Sequence, residues 1–153
     1  MTTTTSRSGY DIEPLSSARR EALARGLSAE ERQVILDHGT ERPFCGTLLN
    51  NKAEGVYACR LCGLPLFRSD EKFESGTGWP SFTTPFDPDH VRDIEDRGWG
   101  MVRVEVRCAR CDGHLGHVFP DGPPPTGLRY CLNSVSMRFF EDVAAAEQHT
   151  NGG

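Results

Sequence analysis

The stretch Val102-Arg-Val-Glu-Val-Arg-Cys-Ala-Arg-Cys111 carries the strongest structural signal in this chain of 153 residues. Its valines alternate with charged residues, and this period of two predicts a β-strand over about 99–107 with one apolar and one charged face. The strand runs directly into a Cys-x-x-Cys pair, Cys108 and Cys111. The sequence therefore predicts a strand that brings two thiols together at its end.

A second Cys-x-x-Cys pair, Cys59 and Cys62, follows a shorter predicted strand over about 55–60. Two such pairs supply four thiolates that can enclose one zinc ion tetrahedrally and leave no position for a substrate. The 45 residues between the pairs exceed the roughly 15–20 of a compact zinc ribbon, but a whole subdomain can separate two knuckles. We therefore predict a structural zinc site formed by Cys59, Cys62, Cys108 and Cys111.

A second interpretation of the cysteines stays open at this point. A Cys2His2 site can be built from four residues spaced three apart, namely Cys108, Cys111, His114 and His117. Cys59 and Cys62 would then form a redox-active pair. We prefer the shared four-thiolate site.

Length and charge limit the classes of function. A chain of this length suits one domain that folds alone. The net charge is −5 and no run of Lys or Arg is present, which argues against nucleic acid as a partner. The start of the chain has no apolar core typical of a secretory signal, and no later stretch suits a membrane span. We expect a cytoplasmic protein, in which cysteines serve as metal ligands or catalytic thiols.

The chain is predicted to be mainly β after two short N-terminal helices. Residues 1–10 are polar and are expected to form a disordered tail, 11–149 a single catalytic domain, and 150–153 a second tail. Helices are predicted over about 15–25 and 29–38. Ser16 or Ser17 is expected to cap the first helix, and Ser28 with Glu31 form a capping box for the second. After Gly39, short runs broken by Gly, Pro and Asn are typical of strands joined by loops.

Two cysteines, Cys45 and Cys131, lie outside the pairs. A thiol redox enzyme needs a nucleophile and a second thiol that resolves the oxidised one, so these two are the candidates. Cys131 lies in a strand predicted over 128–140. There Arg129, Cys131 and Asn133 share one face by the period of two, so a guanidinium and an amide flank the thiol.

Three segments resemble the signature blocks of the B-type methionine sulfoxide reductases: Gly76-Thr-Gly-Trp-Pro-Ser-Phe82, His114-Leu-Gly-His-Val-Phe-Pro-Asp-Gly-Pro123 and Arg129-Tyr-Cys-Leu-Asn-Ser-Val-Ser-Met-Arg-Phe139. With both knuckles included, the resemblance covers about residues 40–140. It implies reduction of the R epimer of methionine sulfoxide, protein-bound or free, with thioredoxin as the usual reductant. It also implies a barrel-like core of two antiparallel β-sheets, and we expect a monomer.

The residues suit this chemistry. A sulfoxide sulfur becomes electrophilic when its oxygen is hydrogen-bonded or protonated, so the site needs a thiolate, a proton donor and an apolar pocket. Cys131 would attack the sulfur, and the positive charge of Arg129 would favour its thiolate. The resemblance places His114 and His117 in the active site as candidate acids. We expect Asn133 to orient the substrate or a histidine, and two aromatic residues to line the methyl pocket, namely Trp79 and Phe119.

Thr77 departs from the family pattern. Many members have a recycling cysteine just before the Gly-Trp-Pro block, where this chain has a threonine that cannot form a disulfide. Cys45 is therefore predicted to be the resolving thiol, and direct reduction of a sulfenic acid by thioredoxin is the alternative. A different class of function is a zinc-ribbon interaction module, in which Cys131 is incidental. An assay for methionine released from a sulfoxide substrate separates these classes.

Overall fold

The computed structural model of the protein describes residues 4–97 and 100–142. Two helices precede the strands over this part of the chain. Helix α1, Ser17–Ala24, begins after Ser16, whose hydroxyl accepts a hydrogen bond from the Arg19 N–H. Helix α2, Ala29–Ile35, has the predicted capping box between Ser28 and Glu31. The helices are confirmed, although each is shorter than predicted.

Residues 4–10 pack against the body and do not form the disordered tail that composition suggests. Ser6 is 5% exposed, and its hydroxyl lies 2.8 Å from Nε2 of the buried His90. The Ser8 hydroxyl donates to Asp87 Oδ2 at 2.6 Å. The prediction is wrong here because two serines find partners about 80 residues away, which composition does not reveal. The predicted tail over 150–153 and residues 143–149 lie outside the described residues.

Nine strands follow in the described part of the chain: β1 Val56–Cys59, β2 Pro65–Arg68, β3 Lys72–Phe73, β4 Ser81–Phe82, β5 Val91–Asp96, β6 Arg103–Cys108, β7 His114–Phe119, β8 Arg129–Leu132 and β9 Met137–Phe140. They form two antiparallel sheets, in the orders β2-β1-β9 and β3-β4-β8-β7-β6-β5. The mainly β fold with two antiparallel sheets is confirmed.

The barrel-like closure is wrong for the described residues. Strands β3 and β5 end the larger sheet and do not pair with each other. Strand β3 has only two residues, too few to supply a second full ladder. The larger sheet therefore stays open. Over the same residues, no helix has the length and apolar character needed to cross a membrane.

Residues 128–140 form two strands in different sheets, where one strand was predicted. A turn of 3₁₀ helix, Ser134–Ser136, separates β8 from β9 and carries the chain from the larger sheet to the smaller. Helix α2 packs against this turn and against β7. This packing places the segment that follows α2 beside the residues at the end of β8.

The two sheets meet through aromatic side chains. Tyr57 and Phe67 from the smaller sheet contact Phe82 from β4, with ring centroids 5.0 Å and 4.6 Å apart. Tyr130 and Leu132 of β8 are buried, as their alternation predicts. Burial of that face leaves Arg129 and Cys131 on the opposite, partly exposed face.

Strand β6 differs from its prediction at both its start and its charged face. It begins at Arg103, and Val102 before it is 64% exposed. Residue 99, the first of the predicted strand, and residue 98 before it lie outside the described residues. Glu105, predicted on the charged outer face, is buried because Oε2 of its carboxylate meets Nδ1 of His38 and Nδ1 of His114, each at 2.7 Å.

Candidate active site

Strand register places Cys131 in the middle of the larger sheet. Strand β8 lies between β4 and β7, and Cys131 pairs with Ser81 on one side and with His117 on the other. Gly116 makes this close approach possible, since a Cβ at that position would collide with the Cys131 carbonyl oxygen. The imidazole of His117 therefore comes from the strand directly beside the thiol.

A cavity of about 130 Å³ opens in front of Cys131. Its lining consists of Thr40, Trp79, Arg103, Gly116, His117, Phe119, Cys131 and Asn133. Five of these residues were selected from the sequence as site candidates, and they come from three separate parts of the chain: Trp79, residues 117–119 and residues 131–133. The cavity combines a thiol, an imidazole, an amide and two aromatic rings, so it offers a nucleophile, a proton donor and apolar walls.

Burial raises the pKa of the Cys131 thiol, although the charge of Arg129 and a hydrogen bond with Thr77 act in the opposite direction. The charge of Arg129 lowers the pKa of Cys131 by less than burial raises it, so the net shift of that pKa is upward. Its guanidinium is also engaged elsewhere, because Nε and Nη2 donate to Asp121 at 2.8 Å and 3.1 Å. The same guanidinium lies 4.4 Å from the centroid of the Phe119 ring.

Asp121 therefore holds Arg129 in place, a role for which the sequence did not select it. The pKa of Asp121 is lowered, first by its hydrogen bonds with Arg129. No local pattern indicated the pair, although both residues belong to the blocks that carry the family resemblance.

His117 is fixed by a carboxylate that the sequence did not single out. Its Nε2 lies 3.0 Å from Asp96 Oδ2, and the same oxygen accepts from Nη2 of Arg103 at 3.2 Å. Because β5 and β6 are antiparallel neighbours, Asp96 and Arg103 face each other in register. The pairing of charges across these strands is the signal that could have identified Asp96.

His114 does not line the cavity. It is 2% exposed, its Nδ1 lies 2.7 Å from Glu105 Oε2, and its Nε2 has no hydrogen-bond partner among the described residues. Burial lowers the pKa of His114. Its ring centroid lies 5.6 Å from that of His117. The structure thus places His117 at the cavity and His114 behind it.

The backbone of Glu41 links two cavity residues. The Oδ1 of Asn133 accepts the Glu41 N–H at 3.0 Å, and Nε1 of Trp79 donates to the Glu41 carbonyl at 3.0 Å. The Asn133 amide nitrogen donates to the Leu115 carbonyl at 3.1 Å, so both ends of this amide bind backbone. The segment after α2 is therefore anchored on the side chains that surround Cys131.

Cys45 lies farther along the same segment and does not line the Cys131 cavity. Its thiol is free and exposed, and it borders a separate cavity of about 280 Å³. Thr40 borders both cavities, so the segment from Thr40 to Cys45 runs between them. A bond between the two sulfurs would therefore have to join residues that border separate cavities.

The two Cys-x-x-Cys pairs meet, as predicted. The Sγ atoms of Cys59 and Cys111 lie 3.5 Å apart, as do those of Cys62 and Cys108, and all four lie within 4.8 Å of one another. Four sulfurs bound to zinc at about 2.3 Å would lie roughly 3.8 Å apart, so this cluster could hold a metal ion.

The alternative Cys2His2 site is wrong. His114 and His117 bind Glu105 and Asp96, and the thiols of Cys108 and Cys111 cluster with those of the first pair instead. Arginines steady both knuckles, since Nε of Arg20 donates to the Cys111 carbonyl at 2.8 Å and Nη2 of Arg110 donates to the Cys62 carbonyl at 2.7 Å. The positive charge of Arg110 also favours the thiolate form of Cys62.

The chain is similar to one family of known proteins. A model of the SelR domain matches residues 27–141. The peptide methionine sulfoxide reductase MsrB of Caulobacter vibrioides strain NA1000 / CB15N is 63% identical over 138 residues, which cover 90% of this chain and 87% of that protein. The protein of the same name from Xylella fastidiosa strain M23 is 60% identical over 131 residues, which cover 86% of this chain and 84% of that protein.

Proposed function

Since the chain belongs to the SelR-domain family, which includes the peptide methionine sulfoxide reductases MsrB, we propose that it reduces the R epimer of methionine sulfoxide at Cys131. The substrate is protein-bound or free methionine sulfoxide. One observation carries the proposal: Cys131, His117, Asn133, Trp79 and Phe119 line a single cavity. A zinc-ribbon interaction module would not need a half-buried thiol beside an imidazole and two aromatic walls.

In the first step, the Cys131 sulfur attacks the sulfoxide sulfur while the sulfoxide oxygen gains a proton. The oxygen is transferred to Cys131, so that the sulfoxide leaves as methionine, reduced by two electrons, and Cys131 becomes a sulfenic acid. The step consumes no net proton when it starts from the thiol. A raised pKa of Cys131 therefore suits the resting enzyme, provided that a neighbouring group passes the proton from sulfur to oxygen.

His117 is the group best placed to move that proton. It lies beside Cys131 in the sheet, and Asp96 fixes the orientation of its ring. His114 supports the position of His117 from behind and does not contact the substrate in this scheme. Asn133 holds the cavity wall through Glu41, and Arg129 favours the thiolate as attack proceeds.

Selectivity for one epimer follows from the two sides of the cavity. Trp79 and Phe119 offer apolar surface for the methyl group, whereas His117 offers a donor for the oxygen. Exchanging methyl and oxygen on the sulfur would place the oxygen against the rings with no donor. The epimer that satisfies both sides is the one reduced, and the family resemblance assigns it as R.

We propose that Cys45 then condenses with the sulfenic acid, releases water and forms a Cys45–Cys131 disulfide that thioredoxin reduces. Thr77 hydrogen-bonds to Cys131, so the position where many relatives have a recycling cysteine is within reach of the nucleophile but has no thiol. The segment from Thr40 must shift to bring Cys45 closer. Direct reduction of the sulfenic acid by thioredoxin is the alternative.

We further propose that the four clustered cysteines hold one structural zinc ion, and that the protein acts as a cytoplasmic monomer. A zinc ion with four thiolates has no open position, so it supplies stability and takes no part in the reaction. One chain provides every residue of the cavity, and free thiols suit a reducing compartment.

The test is a turnover assay with the separated R and S epimers of N-acetylmethionine sulfoxide and dithiothreitol as reductant. The wild type should release N-acetylmethionine from the R epimer only, and Cys131→Ser should release none because a hydroxyl is a far weaker nucleophile at neutral pH. Circular dichroism of the variant checks that the fold is intact. Equal rates on both epimers, or full activity in Cys131→Ser, would overturn the proposal.

A further inference from the structure

We propose that a second groove, next to the sulfoxide cavity, binds an apolar side chain that neighbours methionine sulfoxide in an unfolded polypeptide substrate. The inference rests on the proposed function and extends it to the part of the substrate outside the Cys131 cavity. The groove has a volume of about 260 Å³, twice that of the Cys131 cavity. Trp79 borders both and is the one lining residue that they share.

The lining of this groove combines apolar and polar residues. Its apolar side chains are those of Leu49, Phe73 and Pro80, together with Phe44 and Trp79. The other lining residues are two glycines and four polar or charged residues, namely Asn50, Lys72, Glu74 and Ser75. Ligand sites are typically concave and apolar with a few polar groups at fixed positions, and this groove has that composition.

The charged groups at the groove already have partners. Nζ of Lys72 donates to the Leu49 carbonyl at 2.7 Å, and Glu74 forms an ion pair with Lys52 at 3.2 Å. An incoming apolar side chain would therefore meet a lysine and a glutamate whose polar atoms are already engaged.

Phe44 is held at the edge of the groove in an unfavourable conformation. Its φ is +65°, in the left-handed region that side chains other than glycine rarely adopt, and the residue is 69% exposed. Its N–H donates to the Gly78 carbonyl at 2.7 Å. Strained backbone tends to occur at functional sites, and here the strained residue also presents an exposed aromatic ring at the groove.

Gly78 fixes where the ring of Phe44 lies. A Cβ on Gly78 would come within 2.8 Å of Cδ2 and 2.9 Å of Cε2 of that ring. The ring thus packs directly on the backbone next to Trp79, with its remaining surface open. Phe44 and Trp79 form two aromatic walls, and only Trp79 also faces the Cys131 cavity.

The position of the groove identifies its occupant. Successive residues of an extended peptide advance about 3.3 Å, so a residue adjacent to the bound methionine sulfoxide lies within the width of an indole ring. A free amino acid has no side chain that reaches there.

The test compares three substrates: N-acetylmethionine R-sulfoxide, a blocked tripeptide with the R-sulfoxide between two glycines, and one with the sulfoxide between two leucines. With dithiothreitol as reductant, recycling does not depend on Cys45. Wild-type kcat/KM should be about tenfold higher for the leucine peptide than for the glycine peptide, since an open groove buries part of one leucine. In Phe44→Asn this preference should fall to about twofold or less, with the other two substrates unaffected.

Asparagine is the substitution of choice because it tolerates the left-handed conformation and removes the ring. Val102→Asn is the matched control, since Val102 is 64% exposed and borders neither cavity. Equal kcat/KM for both peptides in the wild type would overturn the inference. So would a loss in Phe44→Asn that is the same for all three substrates.

A binding measurement separates this inference from the proposed function. Calorimetry on Cys131→Ser, in which the reaction cannot proceed, should give a Kd about tenfold lower for the leucine peptide than for the glycine peptide. The double variant with Phe44→Asn should lose that difference. If the wild type reduces no sulfoxide, the proposed function fails, but the binding data still decide whether the groove prefers apolar neighbours. Equal Kd values for the two peptides would refute the proposed apolar groove.

Discussion

Gly116→Ala should reduce activity by displacing Cys131. The added Cβ would clash with the Cys131 carbonyl oxygen and lie 3.0 Å from both the Cys131 carbonyl carbon and the Leu132 Cα, whereas ordinary contact begins at 3.4 Å. These are backbone atoms in two paired strands, so the strands must separate by several tenths of an ångström or more. A misplacement of about 1 Å costs roughly 10²-fold in rate, and we expect kcat/KM to fall about 10–100-fold.

The same overpacking should lower the free energy of unfolding by roughly 1–3 kcal/mol, which corresponds to a Tm lower by roughly 3–10 °C. Steady-state kinetics with the R-sulfoxide and thermal unfolding by circular dichroism measure both effects. Gly26→Ala is the control, because the nearest atom to its added Cβ is the Leu23 carbonyl oxygen at 3.6 Å. A Gly116→Ala enzyme with wild-type kcat/KM and Tm would refute the close approach of β7 to Cys131.

Three further changes test the metal cluster, the proton donor and a buried carboxylate. Cys62→Ser should lose the metal and unfold, because zinc binding contributes roughly 10–16 kcal/mol of apparent free energy in zinc peptides. Metal analysis that finds no zinc in the folded wild type would contradict this. His117→Ala should lower kcat roughly 10²–10⁴-fold with little change in Tm, and an unchanged kcat would exclude it as the proton donor. Burial would raise the pKa of Glu105, but hydrogen bonds with Arg107, His38 and His114 outweigh it and lower this pKa to about 2. The ionised carboxylate therefore stabilises the folded protein above pH 4.5, and this contribution is lost as the pH falls toward 2. Urea unfolding should show that the wild type loses roughly 2–3 kcal/mol more than Glu105→Gln between pH 5 and pH 2, and equal losses would contradict this.

Features that depend on residues near one another in sequence were predicted well. The capping box of Ser28 and Glu31 is present because both hydrogen bonds form within one turn of helix. Cys131 and Arg129 share a face of β8 because alternation along a strand is a local property. Each Cys-x-x-Cys pair also forms within one tight turn, and only the meeting of the two pairs needed the fold.

Features that depend on distant partners were not predictable. Glu105 appeared to belong to a solvated face, yet it is buried because His38, 67 residues away in the chain, contacts its carboxylate. Asp96 was missed for a similar reason, since its link to His117 forms only when β5, β6 and β7 lie side by side.

The sequence predicted which residues belong to the candidate site, but not where each one lies relative to the cavity. The family blocks identified both histidines, but spacing could not tell which one reaches the cavity. That depends on register, which pairs His117 with Cys131, and on Glu105, which holds His114 behind it. The position of Cys45 likewise depends on the path of the segment after α2, which has no regular secondary structure and hence no periodicity.

Cys131 should take the oxygen from the substrate, and Cys45 should then remove it as water. Mass spectrometry after one turnover with N-acetylmethionine R-sulfoxide, without reductant, tests both parts. Cys45→Ser should release one N-acetylmethionine per enzyme and become heavier by one oxygen atom, located on the peptide that contains Cys131. The wild type should release the same amount but carry a Cys45–Cys131 disulfide. A single oxygen on any other residue, or release of product with no change at Cys131, would contradict the account.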